Sequence, residues 1–468
     1  MGKRNITFLI LLCLGYVLFS GWLWGEEGGF RLEEREVRKV YGEVFPVVAK
    51  FYQSRRKPFP IRLISSEELA KILRDEFKFH RIYDGPQKEA NIFQAVALAQ
   101  KVLFAKFAIK RGEILVIPQN IYQAAMKLKM PLRSKKFLWF LLIHELCHGF
   151  DEARYGYVKR LFRITSPEAY QAFNAVIEGH AEYITEKVAR KLSLEKEFIA
   201  WHRWYTSSFK TGNELSDYLR KMYVAHFSFA YTQGFLFFKK LEKLKIKDFE
   251  RRVFTHPPKT PKHILEPELY VGLRALDRSR VRDVGKLSKL LEKELRWKIV
   301  RSLSVNEVVL RAALSLLPSK RVEPAFQGLI QTNIIRYIAG AEQITVALVQ
   351  FENTKSPQLF LQLEEALSDA KDKKFRRWIQ SSQKRWQSLP NVGKCFTTIK
   401  KFKSDSVYNV YHVSFAYENY LLEINVVGGN HSFQSLRDLA RRCFQILAKA
   451  PLRSLSQGSL PGGGRKGR

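Results

Sequence analysis

The segment FLWFLLIHELCHGF, Phe137 to Phe150, constrains this chain more than any other. Seven apolar residues run into His144, Glu145 and His148, so a helix apolar enough to be buried carries three ionisable groups at its centre. Burying such groups is costly unless something satisfies them. Two histidines four apart stack on one helix face, one turn apart. That separation lets both imidazoles bind one zinc ion. Glu145, offset by one position, reaches an atom bound to the metal rather than the metal itself. A pair of core histidines satisfied by hydrogen bonds is the alternative, and it leaves Glu145 in the apolar helix unexplained.

A third ligand is expected from the next long helix, SPEAYQAFNAVIEGHAEYITEKVARKL. Ser166 is its expected N-cap, Pro167 sits in the first turn, and Glu168 supplies early negative charge. Glu178, on this helix after His148, is the favoured ligand. Glu182, one turn further on, is the expected acceptor for the second N–H of a metal-bound imidazole. Gly179 and Ala181 would let the two helices approach closely. His180 is the competing ligand. It projects about 200° around the helix from Glu178, so only one of the two can face the metal. Solvated helix charges are the ordinary alternative for the two glutamates.

The rest of the chain sets the frame around this motif. With 468 residues there is room for two or three domains, and 46% hydrophobic with 13% aromatic residues excludes a disordered chain. The net charge of +35 is spread among glutamates and apolar positions, with no zinc-finger, RRM or basic-zipper pattern. A basic surface that attracts anionic envelope polymers, lipids or acidic partners is expected, and no specific nucleic-acid binding. In residues 1–25, Lys3 and Arg4 precede an apolar run from Ile6 to Trp24, and Glu26 and Glu27 follow it. This reads as either a signal peptide or an N-terminal membrane anchor, with everything later exported.

Residues 26–275 read as one mainly helical domain. SSEELAKILRDEF is capped by Ser65 or Ser66 with Glu68 in a capping box, and NIFQAVALAQKVLFAKFA reads as one apolar helix. EILVIP, Glu113 to Pro118, reads as a strand at a sheet edge, ended by its proline. The Pro-rich THPPKTPKHILEPELY closes this domain. Residues 276–450 read as a smaller α+β domain. It has a strand ITVALVQF, a helix SPQLFLQLEEAL, two strands around Glu418 and Asn419, and a last helix. Leu422, Ile424 and Val426 alternate towards one buried sheet face. Cys395 and Cys443 either pair or remain core thiols. Residues 451–468 read as a flexible basic tail. The fold class expected is α+β.

HELCH followed by EGHAE resembles the gluzincin clan, the thermolysin-like zinc metallopeptidases. The E-G-x-A string is similar to the N-E-G-x-A of the clan's aminopeptidases, with Ile177 in place of the asparagine. YTQG, Tyr231 to Gly234, is similar to their Y-x-x-G element, whose tyrosine stabilises the oxyanion. With HGFDEARYGY and the Pro-rich segment, the resemblance to uncharacterised exported bacterial peptidase-like proteins spans about residues 60–275. It implies a zincin-like domain and a Zn2+ cofactor held by His144, His148 and Glu178. It implies also Glu145 as general base, Tyr231 as oxyanion donor, and a protein or peptide substrate. His256 and His263 are alternative donors. No G-x-M-E-N element grips a free amino terminus, so the expected activity is that of an endopeptidase. The strand Glu113–Pro118 could align an extended substrate by edge pairing. Two other readings stay open. One is an inactive zincin-like binding protein of the envelope, against which the retained Glu145 speaks. The other is a zinc hydrolase acting on something other than protein.

Overall fold

A computed structural model describes residues 32–449 apart from 85–87, 129–135, 207–217, 219–220, 223, 226–227, 276–282, 377–378 and 403–407. The N-terminal apolar segment and the basic tail lie outside the described residues. Among those described, no helix is long and apolar enough to cross a membrane. The fold is α+β. The chain divides into two units, one running to Leu273 and including Val308–Ala313, the other comprising Arg274–Glu307 and the chain from Leu314.

In the first unit, helix α1 (Glu34–Phe51) buries a stripe of Val37, Val40, Val44 and Val48 at helical spacing. Ser65 caps α2 (Ser66–Phe77) by accepting from the Glu68 N–H. The Glu68 carboxylate pairs with Arg62 instead of closing a capping box, and Arg62 in turn binds Glu113. Helix α3 (Lys88–Val102) then gives way to a strand. β1 (Ile61–Leu63), β2 (Ala105–Ala108) and β3 (Glu113–Val116) form a sheet in the order β1–β3–β2, with β1 parallel and β2 antiparallel to β3.

Two expectations are corrected here. The apolar segment ending in FAKFA is not one helix: it stops at Val102, and Ala105–Ala108 turn into β2. A short apolar run has no period to tell strand from helix. With β2 in place, β3 has a partner on each side and is the central strand, so it has no free edge at which a substrate could pair. Its continuous burial from Glu113 to Val116 is that of a strand covered on both faces.

Helices α4 (Pro118–Leu128) and α5 (Lys136–Tyr155) follow, and α5 is buried almost without interruption from Phe137 to Asp151. Ser166 caps α6 (Pro167–Lys191), its hydroxyl accepting from the Ala169 N–H at 3.3 Å. α7 spans Glu195–Thr206; further on, a π-helical turn, Phe229–Gln233, leads into α8 (Gly234–Lys243). The turn crosses α6 at the closest possible approach. Gly179 and Gly234 meet backbone to backbone, and a Cβ on either would collide with the main chain of the other helix. Prolines break the closing segment into short helices.

The second unit is a seven-stranded antiparallel sheet with helices on both faces. Its main elements are α9 (Val284–Leu295), β4 (Lys298–Ser304), β5 (Leu329–Ala339), β6 (Glu342–Phe351), α10 (Lys355–Lys374), β7 (Ile379–Leu389), β8 (Gly393–Phe402), β9 (Tyr408–Tyr417), β10 (Tyr420–Val427) and α11 (Phe433–Lys449). The strand order is β4–β5–β6–β10–β9–β8–β7. Leu422, Ile424 and Val426 face one core with Leu287 and Leu291 of α9 and Leu436 and Ala440 of α11. Cys395 and Cys443 share that core as free, buried thiols.

Helix α10 covers the other face over a cluster of ionisable groups. His412 Nε2 lies 3.3 Å from Glu364 and its Nδ1 3.1 Å from Asn425 Oδ1. Burial first, then the Glu364 charge, raises the Glu423 carboxyl well above the usual carboxylate range, while His412 helps hold Glu364 below it. The raised group binds its proton more tightly in the folded chain. Its contribution is therefore complete below the unfolded carboxylate pKa and is lost as pH rises through the folded value. Thermal melts of wild type and Glu423→Gln between pH 5 and 8 should show the wild type falling progressively behind as pH rises. A constant gap would refute this.

Candidate metal centre

Three side chains from two helices converge at one point. His144 Nε2 and His148 Nε2, from successive turns of α5, are 3.0 Å apart. Glu178 Oε2, from α6, lies 3.1 Å from the first and 3.4 Å from the second. Four donors placed tetrahedrally around zinc at its usual bond lengths stand roughly 3.3 Å from one another. The observed spacings match that geometry, and the three groups together can hold a metal ion. All three are at least largely buried, so the imidazoles and the carboxylate meet away from bulk water.

One of the three, His144, has a carboxylate behind it. Glu182, one turn after Glu178, places Oε1 2.9 Å from His144 Nδ1, and its other oxygen lies 3.0 Å from Nδ1 of His202 on α7. Burial alone would raise both carboxyls, but the histidines outweigh it. Glu178 is driven well below the usual range by His148 and His144, and Glu182 is lowered to about 2 by His144 and His202. Burial alone would lower His144, yet its bonds to Glu178 and Glu182 lift it well above the ordinary imidazole value. Both acids are therefore anions. Such an arrangement suits a cation at the point of convergence.

Glu145 is 6% exposed and one position round the helix from the ligand face. Its Oε2 accepts from the Phe107 N–H on the edge strand β2, at 2.5 Å. Tyr231 is carried by the π-helical turn, and its ring centroid is 5.9 Å from that of His144. Single wide turns of this kind re-aim a side chain within an otherwise regular helix. Burial first, then the charges of Glu178, Glu145 and Glu182, raises the Tyr231 hydroxyl well above its usual range, so it remains a proton donor.

His180 does not join the three. It is fully buried on the far flank of α6, where its Nδ1 binds Asp151 Oδ2 at 2.7 Å. Burial would lower its pKa, but the Asp151 charge raises it to about 9. His256 and His263 have local partners in the Pro-rich segment, the Thr255 hydroxyl and the Lys259 N–H respectively. Three participants escaped the sequence reading, namely Asp151, His202 and the Phe107 N–H. Asp151 alone carried a signal, since it falls seven residues after His144 on the same helical stripe.

No family model matches the chain, and no curated protein does. Among solved structures it is similar to the extracellular domain of PknH from Mycobacterium tuberculosis, at 12% identity and a TM-score of 0.24, covering 36% of this chain and 100% of that one. It is similar also to the Rv0999 ortholog from Mycobacterium smegmatis, an uncharacterized protein, at 9% identity and a TM-score of 0.20, covering 37% of this chain and 98% of that one. Likeness at these scores carries no reading of function.

Proposed function

We propose that this chain is an exported zinc-dependent peptidase of gluzincin type that cleaves within protein or peptide chains. What supports this above all is the spacing of three donors, 3.0 to 3.4 Å apart, from an H-E-x-x-H helix and a following glutamate. His144, His148 and Glu178 would hold the zinc. Bound there, zinc supplies Lewis acidity, which acidifies water and polarises a carbonyl.

The chain's own residues supply the remaining steps. The Phe107 N–H holds one oxygen of Glu145 and leaves the other to take the proton of an attacking water and pass it to the leaving amine. Glu182 fixes the tautomer and orientation of the His144 ring, and His202 steadies Glu182. Tyr231, protonated throughout, donates to the oxygen on which negative charge develops. Export rests on the order of charge and apolar residues before Glu27.

One contact favours a second reading, that of an inactive zincin-like binding protein of the cell envelope. Glu145 has a structural partner in β2, so its retention alone does not require catalysis.

Metal analysis of the purified full chain, paired with cleavage of an unfolded casein-type substrate, separates the two. One zinc per chain is expected, with hydrolysis stopped by a chelator and restored by added zinc. Bound zinc without cleavage would favour the binding protein, and no bound metal would remove the peptidase reading.

A further inference from the structure

Behind the metal-binding groups lies a second, wholly buried polar contact between the same two helices. Asp151 of α5 and His180 of α6 are each 0% exposed and bond at 2.7 Å. Tyr52 donates its hydroxyl to the other Asp151 oxygen at 2.9 Å. On the opposite side of the ring, His180 Nε2 is 3.8 Å from Glu250. A buried ion pair is seldom worth more in stability than apolar side chains of the same volume. Its location therefore calls for another explanation.

We propose that Asp151 and His180 are positioning residues that fix the roll of α6 about its own axis and so set Glu178 against the two imidazoles. This rests on the reading of His144, His148 and Glu178 as a metal site. Glu178 and His180 project from α6 about 200° apart, and each is bonded to α5. Two directional bonds on opposite flanks oppose rotation in both senses, whereas apolar packing has no direction. The tolerance is narrow. A carboxylate about 5–6 Å from the helix axis moves by about 1 Å for a roll of roughly 10°. Metal–ligand distances hold to about 0.2 Å, so the roll must be fixed to about two degrees. Tyr52, the residue that follows α1, in turn keeps the Asp151 carboxylate from swinging.

The test uses full-length Asp151→Asn and Tyr52→Phe, with Zn2+ affinity measured by chelator competition and the visible spectrum of Co2+ as a probe of coordination geometry. Asp151→Asn is expected to bind Zn2+ about tenfold more weakly, the range found when groups supporting a ligand are lost, and to shift the Co2+ bands. Tyr52→Phe should move both readouts in the same direction by less, and it decides the matter should Asp151→Asn fail to fold. Unchanged Zn2+ affinity and Co2+ spectrum beside a lowered melting temperature would overturn the positioning role and leave the metal site standing. A wild-type chain that takes up neither ion overturns both.

Discussion

Glu145→Gln is expected to retain its metal and to lose peptide hydrolysis by at least about a hundredfold, the lower end of what a positioned general base contributes. Glu145 is not among the three converging donors, so the amide leaves the binding groups intact. Glutamine also keeps the length of the side chain and an oxygen that can accept from the Phe107 N–H, so α5 stays docked on β2. What disappears is the lone carboxylate oxygen able to accept a proton. Metal content and initial rates on one preparation check both halves. A variant as fast as wild type would reduce Glu145 to an acceptor for the strand edge.

Glu178→Ala is expected to act on the step before, by releasing the metal. Sharing the binding free energy of a structural zinc site among its ligands gives about 3 kcal/mol for each, roughly a hundredfold in affinity. Among the described residues, the two neighbours on α6 are engaged elsewhere. His180 points to the far flank of α6 and is engaged by Asp151, and Glu182 is committed to His144 and His202. Chelator competition measures the loss directly. Unaltered affinity in this variant would mean that the ion sits elsewhere.

The parts of this site legible in the sequence are those fixed within one helix. The spacing of His144 and His148 is rigid once the segment is helical. The 200° between Glu178 and His180 decides between them as soon as one faces the two imidazoles. Ser65 and Ser166 cap their helices through bonds to residues three positions on, equally local. Contacts between elements were not legible. His202 reaches Glu182 across an interhelical gap that no spacing rule describes. β2 is four residues of an apolar run that continues a helix, and missing it made β3 look like an edge. β7, IQSSQKRWQSL, is a strand with little apolar content, held by its ladder to β8 rather than by its own pattern. Whether Cys395 and Cys443 would pair depended on core geometry that residue spacing does not encode.

The meeting of Gly179 with Gly234 fixes the main chain that carries Tyr231 at a set distance from α6. Rotamers, the usual source of slack between packed helices, have no part in that distance. The main-chain position of Tyr231 relative to α6 is thereby insulated from substitutions on the outer surfaces of either helix.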